Sequence, residues 1–162
     1  MIVLDTSTLV LLAKSDLLPL LSENTRLMIP REVEQEALAK PELYDAQVIA
    51  QMIQMKTLQV SRETATLLCR QIQDDFGLGV GEAAALLLAK KTHAPLATDD
   101  WLAIKAAKIM GIPFLTALHV LVALRKKGRI EKKSAIVKLE TLQRIGRYHT
   151  QIIVDARENI NQ

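Results

Sequence analysis

Short apolar runs alternate along this chain with longer stretches in which apolar residues recur every three or four positions. That alternation predicts strands feeding helices. Met1–Leu4 is a continuous apolar run with β-branched residues, as for a strand buried on both faces, and Asp5-Thr6-Ser7-Thr8 supplies N-cap chemistry for a helix to about Ser15. Asp16–Leu21 starts a short helix, Leu27–Ile29 reads as a second strand, and Pro30 fits the first turn of a helix to about Ala39, stopped by Pro41. Ala46, Ile49, Ala50 and Ile53 mark a helix over Tyr44–Met55, Leu58–Val60 a brief strand, and Ser61 the cap of a helix from about Arg62 to Phe76. Gly77, Gly79 and Gly81 then break the chain before a strong helix over Val80–Lys91. Pro95–Thr98 reads as a strand running into Asp99 and Asp100, followed by a helix over Trp101–Met110 that ends at Gly111. Ile112–Leu115 reads as the last central strand, followed by a helix to about Lys127 with Gly128 just past its end. From Glu131 the pattern is helical, with Gly146 as a break.

Strands alternating with helices imply a parallel sheet covered on both faces: a three-layer α/β/α sandwich of four to five short strands, with extra C-terminal helices. At 162 residues and 18.0 kDa the length suits a single domain with one core. The hydrophobic fraction of 49% is almost entirely aliphatic, because aromatic residues make up only 3%. So few aromatics argue against base-stacking sheets such as an RRM or an OB-fold. A net charge of +3 fits a polyanionic partner without requiring one. The lone Cys69 excludes an internal disulfide and a cysteine-based zinc site, which makes the cytoplasm the expected location. The apolar N-terminus has no basic flank and carries Asp5, Lys14 and Asp16, so it reads as structure rather than a targeting signal, and no run is long enough for a membrane span.

Charge placement then points to chemistry. Asp5, Asp99 and Asp100 all sit where predicted strands end, the edge at which open parallel sheets bind ligands. Glu82 shares a helix face with Ala85, Leu86 and Ala89, a stripe expected to pack inward, where an acid is costly unless neutralised or coordinating a cation. The bland alternatives are that Glu82 complements its helix dipole and that one of Asp99 and Asp100 caps a helix. A further acid comes from the helix after Pro30, which offers Glu32, Glu34 and Glu36. Four or five carboxylates on one edge would repel each other unless divalent cations bind among them, and an all-oxygen set selects Mg²⁺ or Mn²⁺ over Zn²⁺. Such a site suits hydrolysis of a phosphodiester.

Other signals are poorer. GLGVGE lacks the Lys-Ser/Thr of a P-loop and the preceding strand of a dinucleotide fingerprint, so it reads as a tight turn. His93, His119 and His149 have no ligand spacing. The basic run Arg125-Lys126-Lys127 with Arg129, Lys132 and Lys133 offers phosphate contacts or, more simply, complements a helix C-terminus. Leu118, Val122 and Ile152 offer apolar surface for dimerisation or a partner.

Taken together, IVLDTS, IPREVEQE, GVGEAAALLLA and LATDD, in this order, resemble the motifs of the PIN-domain nucleases, and within them the VapC-type toxins. The resemblance covers about residues 1–127, leaving 131–160 as a C-terminal helical extension. It implies metal-binding roles for Asp5, for Glu36 rather than Glu32 or Glu34, for Glu82 and for Asp100 with Asp99 beside it, with Ser7 and Thr98 as supporting hydroxyls. It further implies single-stranded RNA as substrate, Mg²⁺ or Mn²⁺ as cofactor, a homodimer, and an antitoxin as partner. Two positions depart from the pattern: Trp101 stands where an Arg is frequent, and Ala117 where a Gly is common. The competing readings are a PIN-like fold that only binds nucleic acid or protein, and a receiver-like phosphoacceptor, which would need an acceptor Asp on a middle strand.

Overall fold

The computed structural model describes residues 1–62 and 67–162. Its elements follow the predicted alternation: β1 (Ile2–Leu4), α1 (Thr6–Lys14), α2 (Leu18–Ser22), β2 (Leu27–Pro30), α3 (Arg31–Ala37), α4 (Tyr44–Gln54) and β3 (Leu58–Ser61). There follow α5 (Leu67–Phe76), α6 (Val80–Thr92), β4 (Leu96–Ala97), α7 (Trp101–Ile109), β5 (Phe114–Leu115), α8 (Ala117–Lys126), α9 (Lys132–Ile145) and α10 (Thr150–Asn161). The five strands form one sheet in the order β3-β2-β1-β4-β5, every pair parallel. This is an α/β fold with a parallel central sheet flanked by helices, as the pattern predicts.

Topology decides where the site lies. The chain moves from β1 outward to β2 and β3, then returns to the other side of β1 for β4 and β5. Right-handed crossovers therefore place the helices of the two halves on opposite faces. Between β1 and β4 the connections diverge, leaving a crevice beyond the carboxyl ends of the strands. Register aligns Leu4 with Ala97, so the residues that follow, Asp5 and Thr98, emerge side by side.

One hydrophobic cluster runs through both layers: Val3, Leu4, Leu27, Ile29 and Leu96 from the sheet, with Leu9, Leu12, Ile49, Leu86 and Leu121 from the helices. Helix α6 is buried nearly all round, from Ala83 to Ala89, and packs on β1, β2 and β4 as the central helix of its face. The same cluster takes in Leu139 and Leu142 of α9 and Ile153 and Ile160 of α10, so the tail packs into the core.

Several boundaries differ from the sequence reading. Ile112–Leu115 was expected as a central strand, but β5 covers only Phe114–Leu115 and lies at the sheet edge, because no further strand crosses over to cover it. Ser61 is the last residue of β3, paired with Pro30, rather than a helix cap; residues 63–66 of the expected helix lie outside the described residues. Pro30 ends β2 and serves as the N-cap of α3, which stops at Ala37. Leu118, expected at the surface, is only 4% exposed.

Candidate active site

Asp5 is fully buried at the N-terminus of α1, one residue past the central strand. Its extended backbone (φ −86°, ψ 175°) makes it the N-cap, and its Oδ1 accepts the backbone N–H of Thr8 at 2.9 Å. Two hydroxyls complete its shell: Ser7 Oγ donates to Oδ1 at 2.8 Å, and Thr98 Oγ1 donates to Oδ2 at 2.5 Å. Each hydroxyl also accepts a backbone N–H from the segment that follows β4, Ser7 across the crevice from Asp99 at 3.2 Å and Thr98 locally from Asp100 at 3.2 Å. Asp5 is thereby bridged to both downstream acids through one hydroxyl each. Burial pushes its carboxyl up from 3.8 to about 7, opposed by these three hydrogen bonds and reinforced by the charge of Asp99.

Asp99 and Asp100 are adjacent but do different work. Asp99 Oδ2 accepts from the Thr8 hydroxyl at 2.6 Å and from the Ala117 N–H at the start of α8 at 2.9 Å, and Oδ1 accepts from the Tyr148 hydroxyl at 2.6 Å. It ties together α1, α8 and the connection before α10. Burial, then the charge of Asp99, raises the Tyr148 phenol well above its ordinary value, which fixes it as the donor. Asp100 is the N-cap of α7, with Oδ1 accepting from Ala103 N–H at 2.8 Å. Its other oxygen is given no partner by any described hydrogen bond.

Glu36 and Glu82 face this pair from α3 and α6. Glu36 Oε1 accepts the Gly81 N–H at 3.1 Å, and its Oε2 accepts the Thr6 hydroxyl. Gly79, the N-cap of α6, has no side chain to offer, so an acid from another helix satisfies an orphan N–H of α6's first turn. The approach requires glycine at 81, since a Cβ there would run into the Glu36 carboxylate. Glu82 is half-buried and its pKa is raised, first by burial and then by the charges of Glu36 and Asp100, with partial relief from backbone N–H groups. That coupling places Glu36 and Asp100 each within electrostatic reach of Glu82, as Asp99 is of Asp5. Neither of the described ion pairs, Arg129 with Glu23 and Arg157 with Glu140, involves them.

The set meets one requirement of a divalent-cation site directly. Its donors are carboxylates and hydroxyls, suited to a hard cation, and Asp5 and Glu82, raised first by burial, also feel the charges of neighbouring acids, which a cation would offset. Among the described residues no three His, Cys, Asp or Glu side chains converge closely enough to hold an ion as they stand. The carboxylates are turned instead toward nearby N–H and O–H groups, as mutually repelling anions are. All three histidines lie exposed, and His119 belongs to a capping box with Thr116 at the start of α8.

Sequence reasoning missed Thr6, Thr8 and Tyr148. The two threonines belong to the capping run already singled out, where every polar residue turns out to be used. Tyr148 carried no signal, because it lies 49 residues from its partner in a polar connection. Part of the basic run contacts the tail, Arg125 Nε donating to Ile160 O at 3.4 Å and Lys126 Nζ to Asn159 Oδ1 at 2.9 Å, while Arg129 pairs with Glu23.

Among the described residues no helix is long and apolar enough to cross a membrane. No curated protein matches the chain. A family model described as a PIN domain matches residues 1–160, so the likeness reaches through the tail and past the limit near 127 inferred from motifs. With a parallel sheet opening between β1 and β4, acids gathered at that opening and a match over nearly its whole length, this chain belongs to the PIN-domain family, whose members are generally nucleases.

Proposed function

We propose that the protein is a metal-dependent endoribonuclease that hydrolyses phosphodiester bonds of single-stranded RNA. The observation that carries this reading is the buried Asp5, aligned by two bridging hydroxyls with Asp99 and Asp100 at the crevice where Glu36 and Glu82 also face. Asp5, Glu36, Glu82 and Asp100 would hold one or two Mg²⁺ or Mn²⁺ ions, and Asp99, with three donors on its two oxygens, would position rather than ligate. When bound, such an ion lowers the pKa of a water and stabilises the charge of the leaving oxygen. The chain's own part is to keep Asp5 aligned through Ser7, Thr8 and Thr98 and to gather the charges that draw the ion in. The Asp5→Asn variant is expected to lose Mn²⁺-dependent RNA cleavage by about a hundredfold or more. Cleavage at the parent rate in the same buffer would overturn the assignment.

A second reading, a PIN fold that binds nucleic acid or protein without cutting, draws on the acids' present orientation toward local donors. Calorimetric titration with Mn²⁺ separates the two: no heat of binding from micromolar to millimolar metal favours the binding module. On the nuclease reading, the protein is cytoplasmic and homodimeric, and an antitoxin that covers the acids is its natural partner. A small upstream reading frame with a DNA-binding pattern is the observation that would favour the toxin role.

A further inference from the structure

A groove of about 690 Å³ lies along the outer strand β3, bounded by α3 and the end of α4, and none of the five candidate acids lines it. Its lining includes three exposed cations, Arg31, Lys56 and Arg62, and among the described residues one carboxylate, Glu34. Among the described residues none of these three side chains has an ion pair or a hydrogen bond. A fourth cation nearby is different: Arg26 Nε donates to Gln59 Oε1 at 2.9 Å, which orients a polar side chain of the groove floor. Exposed cations are ordinarily just solvated. These three are gathered in one concave surface, and strand register ties them to the site.

The register of the sheet gives the geometry. Ile2 aligns with Leu27 and Val3 with Met28, which carries Asp5 opposite Pro30; Pro30 aligns with Ser61. The next residues, Arg31 and Arg62, therefore leave neighbouring strand ends side by side, one residue beyond the row that Asp5, Pro30 and Ser61 form. With strands about 4.8 Å apart, the backbone of Arg62 lies roughly 10 Å from that of Asp5. Lys56 sits at the opposite end of β3, so the cations mark both ends of the groove. We propose that this groove is a second binding site, one that takes the phosphodiester backbone of a single RNA strand and leads it across the strand ends to the acids. The inference rests on the nuclease reading for the direction of the strand, and on the groove alone for the binding. Two guanidiniums side by side present forked donors matched to phosphate oxygens, and Lys56 adds a point charge further along the track. An acidic peptide added along the outer edge of β3 is the competing occupant. Continuity with the acid row favours the polynucleotide.

The test is fluorescence anisotropy with a labelled oligouridylate in EDTA, where binding is read without cleavage, comparing the parent with the triple variant Arg31→Ala/Lys56→Ala/Arg62→Ala. Loss of three phosphate contacts should weaken binding by tenfold or more near 0.1 M salt and reduce the slope of log Kd against log salt by about 2, at roughly 0.7 per contact for a single strand. Thermal unfolding and Mn²⁺ calorimetry of the variant should match the parent, because no acid is touched. Unchanged affinity and slope in the triple variant, or a parent that does not bind the oligonucleotide, overturns the proposal. So does a labelled oligoglutamate that binds the parent and not the variant while oligouridylate binds both alike, which would assign the groove to a protein partner. Failure of the two readings is distinguishable with Asp5→Asn. If Asp5→Asn cuts like the parent while the triple variant has lost RNA, the acids are misassigned and the groove stands. If Asp5→Asn is inactive and the triple variant binds and cuts normally, the groove is misassigned and the nuclease reading stands.

Discussion

Asp5 has a folded-state pKa of about 7 against an ordinary 3.8, so between those values the folded protein holds a proton that the unfolded chain has released. Stability therefore falls as pH rises across that window, and the contribution from this group is complete below about 4 and gone above about 7. In EDTA the melting temperature of the parent should drop from pH 5 to pH 8 more steeply than that of Asp5→Asn, a comparison that differential scanning calorimetry makes directly. Added Mn²⁺ should reverse the trend, stabilising the parent increasingly as pH rises through 7, since ligating carboxylates must be ionised. At this scale Asp5 was legible because an acid directly after a continuous apolar strand run has few alternatives. The division of labour between Asp99 and Asp100 was not, because capping and bridging depend on donors supplied from α1, α8 and the tail, which no local pattern contains.

Helix α6 shows how an element can be stabilised and impaired by one change. Gly81→Ala removes a flexible residue from a helix, which by propensity alone favours folding by up to about 1 kcal/mol. The added Cβ meets the Glu36 carboxylate, so Glu36 must leave the Gly81 N–H and the first turn loses its cap. The variant is expected to fold with near-parental stability in urea titration, yet to lose Mn²⁺ affinity and cleavage by about tenfold or more, a displaced ligand costing at least what a lost outer-shell partner does. Elements were the most legible level: the alternation of apolar runs with helical periodicity marked nearly every strand and helix, since each is dictated by its own residues. Edge position was not readable, because Ile112–Leu115 is as apolar as a central strand and only the crossover after β3 decides the order. The glycines before α6 were readable as a turn, though not as the space that lets an acid from α3 reach a helix start.

In the molecule as a whole, the tail is joined to the acids by a single phenol. Tyr148→Phe keeps the ring and removes the donor to Asp99, a hydrogen bond to a charged group, so a loss of about 2 kcal/mol is expected in urea or thermal unfolding. If Asp99 positions its neighbours, cleavage should fall through kcat with little change in KM, and Tyr148→Leu, which also empties the space beside Gly146, should fall further. That a tail would pack on the core was legible from its apolar periodicity. That it reaches the site was not, because contacts of such span leave no mark on either partner's local sequence.

This arrangement bears on the order of events as the chain folds. Asp5 and Tyr148 are linked through three hydrogen bonds, by way of Ser7 and Asp99, although they lie at opposite ends of the fold's sequence order. Contacts so distant in sequence form late in folding. A chain still folding would then carry all its acids without holding them in place, so the acid cluster would be completed only in the last steps of folding.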